Sequence, residues 1–91
     1  MRIRIRTGRG RGVVAFTVQY EATIDDTIYP VVRYDSSHGQ AHRDLLDADG
    51  RNVDKLWYSR SIGYAEVVDR AIADIRAHWQ QYREAFIGRM S

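Results

Sequence analysis

A chain of 91 residues with 44% hydrophobic, 29% charged and 11% aromatic content has the size of one domain and too many large apolar side chains to be a disordered polymer. It lacks an apolar run of the ~20 residues a membrane span needs, and having no cysteine excludes disulfides, thiolate metal sites and a cysteine nucleophile. These features point to a cytoplasmic protein with no membrane partner. The formal charge of +2 is unevenly spread: residues 1–12 hold five of the fourteen basic residues and no acid, leaving nine basic against twelve acidic side chains in the body.

The N-terminal run Arg2–Arg6 alternates arginine with isoleucine, the two-residue period of a half-buried strand or of an arm that becomes one on docking. Gly8, Gly10 and Gly12 then break the chain into a turn or loop. Val13–Glu21, rich in β-branched and aromatic residues, is the strongest strand candidate. Ala22–Tyr29, with Asp25-Asp26 and the following Pro30, reads as a loop or wide turn. Val31–Asp35 is a third strand, Ser36–Gln40 a turn, and Ala41–Leu46 a fourth strand. Asp47–Gly50 is a hairpin turn in which the aspartate caps and the glycine takes the left-handed position, and Arg51–Tyr58 is a fifth strand. Short polar turns between strands favour an antiparallel meander.

From Ser61 the period changes. Ala65, Val68, Ile72, Ile75, Trp79, Tyr82 and Phe86 recur at alternating intervals of three and four, which places one apolar stripe on a helix over residues 61–88, stopped by Gly88. The fold expected is α+β, an antiparallel meander of four or five strands under one long C-terminal helix. The stripe spans about 32 Å, whereas strands of five to seven residues span about 17–24 Å. Trp79, Tyr82 and Phe86 are therefore expected to overhang and form an interface for a second copy or a cognate protein. Alternatively, the N-terminal strand or the Ala22–Tyr29 loop covers that end.

The densest polar cluster runs from Arg33 to Asp44, R-Y-D-S-S-H-G-Q-A-H-R-D. His42 and Asp44 share one face of the fourth strand, Arg43 and Leu45 the other. A carboxylate beside an imidazole orients it for acid–base work. His42 oriented by Asp44 as base, His38 as acid, and Arg33 or Arg43 as cation, with Asp35 nearby, would suit metal-independent RNA cleavage by the substrate's own 2′-hydroxyl. The structural alternative makes Asp35 a turn-capping carboxylate, His38-Gly39 a turn, and Arg43 a partner of Asp44 or Asp35. The spacing does not force three metal ligands together, so neither a metal nor another cofactor is expected.

Arg2, Arg4, Arg6, Arg9 and Arg11 make an electrostatic footprint for RNA or DNA, and equally a charged face that protects an edge strand. The stretch V-V-R-Y-D-S-S-H-G-Q-A-H-R-D-L-L-D-A-D-G (Val31–Gly50), with Lys55, Trp57 and W-x-x-Y-R-E-x-F (Trp79–Phe86), resembles an uncharacterised family of small bacterial proteins. The small-sheet-plus-helix plan is also loosely similar to TumE-like toxins of toxin–antitoxin modules. The closer family implies no assigned activity, and the arginine-rich Met1–Gly12 lies outside that resemblance. Two readings follow for function: a small toxin-like ribonuclease or RNA-associated protein acting through the His38–Asp44 hairpin, or a non-catalytic module that binds nucleic acid, protein or its own copy.

Overall fold

The computed structural model describes residues 1–90. Five antiparallel strands lie in the sheet in the order of the chain: β1 (Arg2–Gly8), β2 (Gly12–Ile24), β3 (Thr27–Asp35), β4 (His42–Leu46) and β5 (Asn52–Trp57). The one α-helix among the described residues, α1 (Tyr64–Met90), crosses one face of this sheet, and a 3-10 turn at Ser37–Gly39 links β3 to β4. The α+β meander with a long C-terminal helix is therefore as the sequence implies.

The main departure is at Ala22–Tyr29, which is strand rather than loop. β2 runs on to Ile24, pairs it with Thr27, and turns within Asp25-Asp26, both at positive φ (50° and 65°). That is a two-residue hairpin of the primed kind, in which aspartate tolerates the left-handed conformation that glycine usually supplies. Pro30 is accommodated because β3 here has run past its last pair with β4, Val32 with Leu45, and is bonded on the β2 side alone. A bulge beside it lets both Val31 and Val32 be fully buried, which strict alternation would forbid.

The long hairpin also removes the expected overhang. Thirteen residues of β2 reach about 43 Å and twenty-seven of α1 about 40 Å, so strand and helix match in length. Phe86 is 0% exposed, seated with Ala22 and Val31 and tilted against the Tyr29 ring at 5.5 Å. Tyr82 is half-buried against both core clusters, and only Trp79 keeps 42% of its surface exposed. The segment expected as a loop, in other words, is the cover.

The main cluster joins Phe16, Val18, Val32, Tyr34 and Ala41 of the sheet region to Val67, Val68, Ala71 and Ile75 of the helix. The helix is turned slightly from its apolar stripe: Val67 and Ala71 are buried, whereas Ala65 is exposed and Ile72 only half-buried. Gly88 does not stop the helix, which continues to Met90, where Arg89 donates to the Leu46 carbonyl at 3.0 Å. Gly8, by contrast, is required: a Cβ there would lie 2.7 Å from the Val14 side chain. Phe86→Ala should cost about 3–5 kcal/mol in urea unfolding; an unchanged midpoint would mean that Phe86 is not core.

Candidate functional site

Directly paired residues of antiparallel strands point to the same side of a sheet, so register fixes what shares a face. Two rows cross all five strands on the face opposite α1. One is Arg4, Thr17, Asp35, His42 and Trp57; the other is Arg2, Gln19, Arg33, Asp44 and Lys55. Arg6 extends the first strand's contribution beside Ala15. On this face Arg2, Arg4, Arg6, Arg33 and Lys55 outnumber the carboxylates of Glu21, Asp35 and Asp44. A groove of about 250 Å³ is lined by Arg2, Arg4, Thr17, Gln19 and Arg33.

The polar side chains of the rows are linked. Arg33 Nε donates to Gln19 Oε1 at 2.7 Å, Gln19 Nε2 donates to Glu21 at 2.8 Å, and Arg2 lies 3.6 Å from the same carboxylate. Farther along, Lys55 Nζ sits 3.4 Å from Asp44 Oδ1 and 5.0 Å from the centre of the Trp57 ring. Trp57 itself is 49% exposed, an aromatic surface level with the cations.

The hairpin does bring together Asp35, His38, His42 and Asp44. His42 Nε2 is 2.9 Å from Asp35 Oδ1 and 3.5 Å from Asp44 Oδ2, while its Nδ1 donates to the Gln40 carbonyl at 3.0 Å. Asp35, not Asp44, is thus the nearer carboxylate. His42 is only 1% exposed, covered by the Trp57 ring at 5.0 Å and the His38 ring at 6.5 Å. Both ring nitrogens face oxygen acceptors, and the ring itself is almost wholly shielded from solvent.

The turn chemistry is present as well. Asp35 Oδ1 accepts from Ser37 N and Oγ at 3.0 and 2.8 Å, and His38 and Gly39 both have positive φ. Arg43 is not part of the cluster. Period two places it on the helix side, where it donates to the Tyr82 hydroxyl at 3.4 Å and lies 3.7 Å from Asp54, not near Asp35 or Asp44. Arg9 and Arg11 occupy the exposed β1–β2 turn, off the rows that carry Arg2, Arg4 and Arg6.

A second polar cluster lies under the helix and escapes a reading based on the hairpin. The Asp74 carboxylate accepts from both Tyr34 and Tyr82 hydroxyls and is 2.9 Å from His78 Nδ1. Burial pushes the Asp74 carboxyl up, but the hydrogen bonds from Tyr34, Tyr82 and His78 outweigh it and hold it below its ordinary value. Burial and the bond to Asp74 push both tyrosines up. The spacing Asp74, His78, Tyr82 is a four-residue ladder along one helical line, which was the available signal.

A five-stranded meander with one face under a helix and the other an open, largely polar surface defines an α+β domain. The chain belongs to the family described as domain of unknown function DUF7718, whose model matches residues 1–90, so the arginine-bearing strand lies inside the family's domain rather than outside it. No curated protein and no solved structure matches the chain. No described helix is long and apolar enough to cross a membrane.

The Asp74 network gives stability two pH limits. Because the folded carboxyl titrates below its unfolded value of 3.8, its contribution is complete above that pH and is lost as pH falls through the folded value. Tyr34 and Tyr82 titrate above 10.0 when folded, so their contribution is complete below that pH and is lost as pH rises beyond it. Urea midpoints of wild type and Asp74→Asn should differ near neutrality and converge as pH falls from about 4 toward 2. Tyr34→Phe should soften the alkaline loss; a constant gap at all pH values would exclude the linkage.

Proposed function

We propose that the protein binds single-stranded nucleic acid, RNA in the first instance, on the sheet face opposite α1. The observation that carries this reading is the pair of cross-strand rows, which set Arg2, Arg4, Arg33 and Lys55 on one surface with the half-exposed ring of Trp57. Guanidinium and ammonium groups follow a phosphate backbone, and an exposed indole offers a stacking face that every base can use. Stacking on a sheet surface needs bases splayed from a duplex, which favours single strands. The sequence alone offered arginines without an aromatic platform; β5 supplies it from the far edge of the sheet. Shielding of His42 supports binding rather than cleavage through a His38–His42 pair.

Fluorescence anisotropy with a labelled single-stranded RNA tests this. Replacing Arg2, Arg4 and Arg6 by alanine should reduce the slope of log affinity against log salt by about 2, at ~0.7 for each phosphate no longer neutralised. Trp57→Ala should weaken binding by about 1–3 kcal/mol with the salt slope unchanged. Duplex RNA should bind more weakly than the single strand. Absence of binding at low salt, or affinity untouched by both changes, refutes the reading.

A further inference from the structure

We propose that Asp35, His42 and Asp44 form a binding site for a first-row divalent transition-metal ion, of the zinc or manganese class, in the open face of the sheet. Asp35 and His42 are direct cross-strand partners, and Asp44 follows His42 by two residues on β4, so sheet register rather than loop geometry brings the three together.

The orientation of the His42 ring directs one of its nitrogens at both carboxylates. Its Nδ1 is 3.0 Å from the Gln40 carbonyl oxygen, which can only accept, so Nδ1 carries the hydrogen. The other ring nitrogen, Nε2, points at Asp35 Oδ1 at 2.9 Å and Asp44 Oδ2 at 3.5 Å. An ion that takes the place of a proton between these atoms meets one imidazole nitrogen and two carboxylate oxygens already turned toward it. A backbone carbonyl on the far nitrogen is also the arrangement that orients metal-ligating histidines.

Geometry and donor chemistry fit the metal. Donors about 2.1 Å from one ion lie about 3.0 Å apart at right angles and about 3.4 Å apart at the tetrahedral angle. The two observed nitrogen–oxygen separations lie close to that range, and one donor atom from each residue lies within 4.8 Å of the others. The surrounding groups hold the carboxylates in place. Ser37 N and Oγ donate to the same Asp35 Oδ1 that faces His42 and fix its position, while Asn52 Nδ2 (3.0 Å) and Lys55 Nζ (3.4 Å) take Asp44 Oδ1 and leave Oδ2 turned toward His42. One imidazole with two carboxylates suits zinc, manganese or iron(II) better than calcium or magnesium, which favour oxygen alone. The carboxylate side chains keep 15% and 13% exposure, so an ion enters from their side and water completes its shell.

The test uses the full chain, stripped with chelator and free of nucleic acid, so its outcome is independent of the binding reading above. Substoichiometric Mn²⁺ should broaden amide and ring resonances of Asp35, His42 and Asp44 first. The acidic turns Asp25-Asp26 and Asp47–Asp49 serve as internal controls. Zn²⁺ at 100 times its Kd should shift the folding equilibrium about 100-fold, seen as a raised Tm. Asp35→Asn and Asp44→Asn, each verified as folded by circular dichroism, should lose both effects. Broadening absent or centred on a control turn, or Zn²⁺ stabilisation retained in Asp44→Asn, overturns the proposal and leaves a proton as the occupant.

Discussion

A single helix about 10 Å across lies on five strands about 19 Å wide, and this mismatch governs which side chains the protein can bury. The helix covers β2 and β3, where the apolar clusters are, and cannot also cover the edges. Ile3 and Ile5 of β1 and Leu56 of β5 point to the helix side and stay exposed. The other face has no covering layer at all. Apart from Ala15, Val53 and Trp57, its residues are therefore polar, and they satisfy one another across strands instead of packing into a second core. The arginine rows and the histidine cluster are consequences of that one-sided architecture.

On the covered side, apolar contact alone would fix the helix only loosely about its own axis. Asp74, bonded to Tyr34 from the sheet and to Tyr82 two turns along the helix, sets that rotation. The same rotation brings the small side chain of Ala71 to full burial and lets backbone approach sheet closely, while Ala65 is turned outward. A partly buried carboxylate is tolerable here because Tyr34 and Tyr82 both donate to it and His78 lies within hydrogen-bond reach.

The meander was legible where local chemistry is unambiguous. Asp47 caps its turn by accepting from Asp49 and Arg51, both at 2.9 Å, and Gly50 has φ 79°, as D-A-D-G implies. Residues 22–29 misled because Asp25-Asp26 lacks the glycine that marks a tight hairpin, and Pro30 reads as a breaker unless one knows that β4 ends before reaching it. That His42 and Asp44 share a face follows from period two. That Trp57 closes over His42 depends on the β4–β5 register, which includes a shift between Leu45 and Leu46 that turn residues do not announce. Asp74 was hidden for another reason: within an amphipathic pattern a single acid looks like the solvent side, and its tyrosine partner lies 40 residues away.

The sequential strand order also has a bearing on synthesis. Every strand pair is a hairpin between neighbours, so the sheet can form by local zipping as each strand leaves the ribosome, whereas α1 follows all of them. Until α1 has emerged, Val18, Val32 and Tyr34 face water on one side while the polar rows are already complete on the other. A nascent chain at that stage displays a finished outer surface above an uncovered hydrophobic one.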